Sequence, residues 1–126
     1  GKKEIDKLVN QFLANQSSMK KYAKSTGAKH WIIIQPILSM HKNNRYGNEN
    51  KKEMMEYYIA KIMNSEVCSS NCLDLSNFFE KFQNQNYFFS RDNSDLNKAI
   101  FIDESHFLDH ATEKVVNKII ESVNFN

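Results

Sequence analysis

The stretch that most constrains the fold is an apolar run at residues 31–34, within the segment KHWIIIQPIL. Trp31 and the three isoleucines after it favour extended backbone, and no polar residue alternates with them. Such a run is typical of a strand that is buried on both faces, as in a parallel sheet beneath helices. Pro36 cannot donate a ladder hydrogen bond, so the strand is predicted to end before it.

Helical patterns lie on both sides of this strand. Residues 3–24 repeat apolar side chains at helical spacing, and Gly27 follows where a C-terminal cap is expected. A second helix is predicted at about 49–63. The third and clearest helix is predicted at about 110–123, with Asp109 as its candidate N-cap.

The remaining segments complete an alternating order. They predict a short strand at 73–75, one or two helical turns in NFFEKF, polar loops in SMHKNNRYGNEN and at 84–98, and a short apolar segment at 99–102. The order of helix, strand, helix, strand and helix predicts an α/β layered fold with parallel strands. A length of 126 residues predicts a single domain.

The predicted sheet is short of strands. A strand buried on both faces needs a neighbour on each side, because its backbone N–H and C=O groups otherwise lack partners. The sequence supplies one convincing neighbour for residues 31–34. We therefore expect that a partner covers the open edge, by self-association or otherwise, or that strands are missing. The chain begins with Gly1 instead of Met, which indicates a processed chain or a cloning remnant.

Composition and charge exclude several classes of protein. With 40% hydrophobic and 25% charged residues, the chain has the composition of a globular domain. The net charge is +2, and no basic stripe with interleaved aromatic residues is present, which argues against a nucleic-acid partner. No apolar run approaches the roughly 18 residues of a membrane span.

Two cysteines, Cys68 and Cys72, lie in CSSNC. A single pair four residues apart is a weak zinc signal. The pattern favours two free thiols, with a small-loop disulfide as the main alternative and a metal site as the third. A disulfide would imply an oxidising, extracytoplasmic compartment, and without it the compartment stays unassigned.

The segment AIFIDESHFLDH holds the candidate catalytic residues, Asp103 and His106. An Asp three residues before a His can reach it in a turn, fix its tautomer and leave the second ring nitrogen as a base. The alternative is that Asp103 only caps a turn. His106 and His110 are four residues apart, but they are predicted to straddle the start of the last helix, so no metal site is assigned.

Gln35 is the candidate substrate-binding residue. It stands at the C-terminal end of the strand, and in open α/β sheets that edge lines the binding crevice. Its amide could contact substrate or could satisfy a backbone group, and the second role is favoured.

The segment FIDESHFLDHATEKVVNKIIESV resembles the last conserved block of the SGNH/GDSL hydrolases. Asp103 and His106 stand in its Asp-x-x-His positions, and Leu108 follows as in the family. Ala111 stands where the family usually has Gly. Two upstream segments, GAKHWIIIQPIL with Lys42 and Glu49 beyond it, and CLDLSNFFEKF, resemble earlier parts of the same proteins in the same order.

The resemblance implies a fold and an activity. The fold would be part of a flavodoxin-like three-layer α/β/α sandwich, with the parallel strands of the C-terminal half of its sheet. The activity would be hydrolysis or transfer of acyl esters, including acetylated carbohydrates, without a cofactor. His106 would be the general base and Asp103 the residue that orients it.

The chain departs from the family most clearly in its nucleophile and oxyanion-hole residues. No Ser follows a Gly-Asp pair, and GNEN at Gly47 does not fit the Gly-x-Asn-Asp block. The nucleophile and the oxyanion-hole Gly and Asn are therefore absent. We predict that residues 1–126 are the C-terminal part of such an enzyme, partnered by the N-terminal half of the fold. The alternative is a non-catalytic α/β module that binds a carbohydrate or a protein.

Overall fold

A computed structural model describes residues 1–41, 49–82 and 99–123. The predicted polar loop at 84–98 and the residues Lys42 and Gly47 lie outside them. The chain divides into two compact units. The first comprises Gly1–Ile34 and Asn50–Asp74, and the second comprises Gln35–Glu49 and Leu75–Asn126.

The first unit is built on two helices, α1 (Lys2–Ser25) and α2 (Glu49–Met63), as the helical spacing predicts. The end of α1 has a specific cause. Gly27 adopts a positive φ of 77°, a conformation that carries little steric penalty for glycine because it has no Cβ. Its N–H bonds to the carbonyl of Lys24, and the N–H of Ala28 bonds to the carbonyl of Ala23. This is a Schellman cap, and the prediction for Gly27 is confirmed.

The sheet of the first unit has two short parallel strands, β1 (Ile32–Ile34) and β2 (Cys72–Asp74). Ile32 is buried in a cluster with Ile5 and Val9 of α1 and Ile62 of α2. Ile33 points to the opposite face, because side chains alternate along a strand, and it is 36% exposed. Both helices thus contribute to the cluster on the Ile32 face, and β1 is not buried on both faces as predicted.

The predicted three-layer α/β/α sandwich is wrong. The described residues form three helices and one two-stranded parallel sheet. The third apolar segment, at residues 99–102, does not join that sheet; its Phe101 forms an isolated antiparallel bridge with Phe107 instead. The alternating order of elements was predicted correctly, but order alone does not show how many faces of a sheet are covered.

The prediction of two free thiols is also wrong, because Cys68 and Cys72 form a disulfide. The chain turns back between the two cysteines. The turn begins with a short 3-10 helix at Glu66–Cys68 and ends at Asn71, which has a φ of 59°. Asn tolerates this left-handed conformation better than most residues. The two Cα atoms come to 5.4 Å, within the range that a disulfide spans.

The second unit is built around an aromatic cluster. Two 3-10 helices, Leu38–Met40 and Phe78–Phe82, precede the helix α3 (Asp109–Ser122), so the helical turns predicted in NFFEKF are confirmed. Phe79 and Phe101 are fully buried and meet edge to face at 5.6 Å. The N-cap of α3 is Leu108, whose carbonyl accepts the first helical bonds, and not Asp109, which becomes the first helical residue.

His41 is the polar centre of this cluster and is only 2% exposed. Its Nδ1 donates to the carbonyl of Ile37 at 2.8 Å, and its Nε2 accepts the N–H of Phe79 at 3.1 Å. These two partners assign the neutral Nδ1–H tautomer. Burial lowers the pKa of His41, since a charged imidazolium would lose its hydration.

Candidate functional site

The candidate site is the tip of a tight reversal in the second unit. The bridge between Phe101 and Phe107 brings the two arms together, and the N–H of Ile102 bonds to the carbonyl of His106 at 2.9 Å. Buried Phe101 anchors one arm in the aromatic cluster. Residues 103–106 form the end of the reversal, where both predicted catalytic side chains, Asp103 and His106, are exposed.

The carboxylate of Asp103 closes this turn. Its Oδ1 accepts the backbone N–H of Ser105 at 3.0 Å and that of His106 at 2.9 Å. This is the Asx-turn pattern, in which a short acidic side chain takes the place of a backbone acceptor. The two bonds and the contact with the His106 ring lower the pKa of Asp103, with the Ser105 N–H as the largest cause. Asp103 is therefore a carboxylate at neutral pH.

The same carboxylate holds the imidazole of His106. Its two oxygens lie 2.9 Å and 2.8 Å from Nδ1. Because a carboxylate only accepts, Nδ1 carries a proton, and in the neutral form of the ring Nε2 keeps its lone pair. Within the described part of the chain, Nε2 has no hydrogen-bond partner. The side chains of His106 and Asp103 are 74% and 55% exposed, so this nitrogen is open to an incoming group.

The turn is held against the segment that follows Ile34. The side-chain amide of Gln35 donates to the carbonyl of Ser105 at 3.0 Å. Gln35 thus satisfies a backbone group, the role that the sequence favoured. Gln35 sits beside the candidate pair through that bond, and its role in substrate contact stays a prediction.

Glu104 makes a second attachment that sequence reasoning missed. Its backbone carbonyl accepts the N–H of Leu38 at 2.8 Å, and its Oε1 accepts the N–H of Ser39 at 3.2 Å. Both partners lie about 65 positions earlier in the chain. The residues around Glu104 in the sequence therefore give no indication of these contacts. The attachments of Gln35 and Glu104 fix the backbone on which the Asp103–His106 pair is built.

The other histidines are occupied by structural contacts. His110 donates from Nε2 to the carbonyl of Ala99 at 2.6 Å, and His30 bonds to the side chain of Gln16 at 2.8 Å. In residues 1–41, 49–82 and 99–123, no cluster of three or more His, Cys, Asp or Glu side chains could hold a metal ion. Among the described residues, His106 is the histidine whose Nδ1 is held by a carboxylate while its Nε2 has no partner.

Among the described residues, no nucleophile accompanies the pair. None of the hydroxyl groups that the structure describes bonds to Nε2 of His106. The backbone N–H of Ser39 bonds to the side chain of Glu104 in the turn. The Oγ of Ser39, however, is buried and has no hydrogen-bond partner among the described residues. The described residues can thus orient an imidazole and leave one of its nitrogens open, and they do not place a hydroxyl against that nitrogen.

Two properties of the whole chain complete the description. None of the described helices combines the length and the apolar character that crossing a bilayer requires. Comparison with models of known protein families, with curated proteins and with solved structures finds no match to this chain.

Proposed function

We propose that Asp103 and His106 are the acid–base half of an acyl-ester hydrolase or acyltransferase site, of the type found in SGNH/GDSL hydrolases. In this proposal Nε2 of His106 takes the proton from a serine hydroxyl as that oxygen attacks the ester carbonyl. His106 then returns the proton to the leaving alcohol. Asp103 keeps the ring in the correct tautomer and stabilises the imidazolium.

One observation carries the proposal. The carboxylate of Asp103 bonds to Nδ1 of His106 while Nε2 stays open, which is the arrangement that a general base requires. An Asp that only capped the turn would need its two backbone bonds and no contact with the ring. The sequence resemblance of the surrounding segment to the SGNH/GDSL block supports the same assignment.

The nucleophile belongs to another segment in this proposal. The matching segments of this chain resemble the later blocks of such enzymes, whereas the serine of the family stands in an early block. The substrate class is an acyl ester, with acetylated carbohydrates included. The disulfide between Cys68 and Cys72 favours an extracytoplasmic site of action, because disulfides persist in oxidising compartments.

The test is an ester-hydrolysis assay on this chain together with the segment that carries the serine. With a short-chain aryl ester, His106→Ala is expected to lower kcat/KM by about 10²- to 10⁴-fold, the usual range of general-base assistance. His110→Gln is the matched control, since it removes an imidazole four residues later, keeps a side-chain donor for the carbonyl of Ala99, and should leave kcat/KM within about threefold. Equal activity of the wild type and His106→Ala would contradict the assignment.

The alternative is a non-catalytic module that binds a carbohydrate or a protein. The observation in its favour is that no described hydroxyl bonds to His106. In this case the ester assay gives no His106-dependent activity, and the His106→Ala substitution instead weakens binding of an acetylated oligosaccharide or of a protein partner.

A further inference from the structure

A second candidate site lies in the first unit. A cavity of about 300 Å³ opens between the C-terminal part of α1 and the 3-10 helix Glu66–Cys68. The residues that line it come from these two elements: Ser17, Lys20, Lys21, Lys24, Glu66 and Val67. The proposed chemistry of Asp103 and His106 uses none of them.

The helix period brings the basic groups together. Ser17, Lys20, Lys21 and Lys24 stand at positions i, i+3, i+4 and i+7, so they share one face of α1. Lys20 is fixed to the opposite wall, because its ammonium group donates to the carbonyl of Val67 at 3.2 Å. Within the described residues, the ammonium groups of Lys21 and Lys24 have no hydrogen-bond or ion-pair partner.

The lining carries an excess of positive charge. Three ammonium groups stand against the single carboxylate of Glu66, which leaves two positive charges unbalanced. Like charges within one helical turn repel each other. A bound dianion would remove that repulsion and would also find a hydroxyl donor in Ser17.

We propose that this cavity binds a small phosphate-bearing molecule. A phosphomonoester carries close to two negative charges at neutral pH, which matches the excess charge of the lining. Lysines bind phosphate as point charges from several directions, and Lys21 and Lys24 are available for this role. A volume of about 300 Å³ accommodates a phosphate group together with a small organic part.

The disulfide stiffens one wall of the cavity. Val67 precedes Cys68, and the disulfide joins Cys68 to Cys72, the first residue of β2. The wall is thereby tied to the parallel pairing of β1 and β2. Reduction of the disulfide is expected to loosen Glu66 and Val67 and to weaken phosphate binding several-fold.

The experiment is an NMR titration of the whole chain with inorganic phosphate and with glycerol 3-phosphate at low ionic strength. Saturable shifts are expected at the amides of Ser17, Lys20, Lys21, Lys24, Glu66 and Val67. The double variant Lys21→Gln, Lys24→Gln should weaken binding at least tenfold. The control Lys3→Gln, Lys7→Gln makes the same change of net charge at exposed positions of α1 and should change the affinity less than twofold.

A third variant and a second ligand source sharpen the test. Glu66→Gln removes the one acid of the lining and should tighten binding of the soluble phosphates. Vesicles that contain phosphatidic acid, whose headgroup is a phosphomonoester, separate a lipid headgroup from a free phosphate ester, with vesicles of phosphatidylcholine alone as the control. Binding of either source that is lost in Lys21→Gln, Lys24→Gln and kept in the control pair supports the proposal. Absence of binding to both sources, or equal weakening by both pairs, overturns it.

Discussion

Two histidines of the second unit illustrate opposite uses of the same side chain. His41 is buried among Phe79 and Phe101, and both of its ring nitrogens have partners. His106 stands at an exposed turn, where Asp103 engages one nitrogen and the other stays open. A fully satisfied, buried imidazole organises a core, whereas a half-satisfied, accessible one can accept a proton. The comparison predicts that His41 governs stability and that His106 governs chemistry.

The largest effect is expected from His41→Ala. The substitution removes a buried ring and leaves the N–H of Phe79 and the carbonyl of Ile37 without these bonds. We expect the free energy of unfolding to fall by about 3 kcal/mol, from the cavity and the lost partners together. The measurement is urea unfolding followed by the amide signals of Phe79 and Phe101.

The control for this prediction is His106→Ala, which removes an exposed ring. Its effect on the free energy of unfolding should stay within about 0.5 kcal/mol. Equal destabilisation by the two variants would break the comparison between the buried and the exposed histidine.

The next effect concerns pH. Burial holds the pKa of His41 below its usual value of about 6.5, so the unfolded chain binds a proton that the folded chain excludes. Above about pH 6.5 the His41 ring is neutral in both states and the free energy of unfolding keeps its full value. As the pH falls from 6.5 towards the folded pKa, the unfolded chain takes up the proton and the free energy of unfolding decreases. The slope is at most about 1.4 kcal/mol per pH unit for one proton. The nearby charges of Glu80 and Glu104 favour protonation and moderate the loss.

This prediction is checked by urea unfolding at several pH values between 7 and 4. His41→Gln should flatten the curve in that range, because it removes the buried ring whose pKa is lowered. Asp103 acts in a separate window: its lowered pKa gives stability that is present above about pH 3.8 and is lost as the pH falls through the folded pKa. An unchanged slope in His41→Gln would show that another group carries the acid sensitivity.

The smallest effect is expected from Gln35→Ala, which removes one exposed bond to the turn. We expect a loss of about 0.5 kcal/mol in the free energy of unfolding, because a single neutral hydrogen bond contributes little in water. Faster hydrogen exchange at the amides of Ser105 and His106 is the local signature. If the substitution also changed KM for an ester and left these amides unaffected, Gln35 would be a substrate-binding residue and not a support of the turn.

Local features of this chain were predictable from the sequence. Helical spacing located α1 and α2 to within a residue, and Gly27 marked the end of α1. The Asp103–His106 contact was also foreseen, since it joins side chains only three positions apart. Each of these features depends on neighbours along the chain, so the residue types and their spacing suffice to predict it.

Features that depend on contacts between distant segments, or on a left-handed backbone at a residue other than glycine, were not predictable. The three-layer prediction was wrong because it assumed that β1 is buried on both faces. Ile33 faces outward, and an apolar run in the sequence does not show this. The disulfide was ranked second to two free thiols, because the spacing of the cysteines does not show the turn in which Asn71 adopts a left-handed conformation. The support from Glu104 to Leu38 joins backbone groups far apart in the chain, and the identity of either side chain says nothing about it.

The central claim is that Asp103 holds His106 with Nδ1 protonated and Nε2 open. The direct measurement is the pair of ¹⁵N chemical shifts of the His106 ring at a pH where the imidazole is neutral, in the wild type and in Asp103→Ala. The account predicts the Nδ1–H tautomer in the wild type and a mixture of both tautomers, as in free imidazole, in Asp103→Ala. Identical shifts in the two proteins would contradict it, because the carboxylate would then have no hold on the ring.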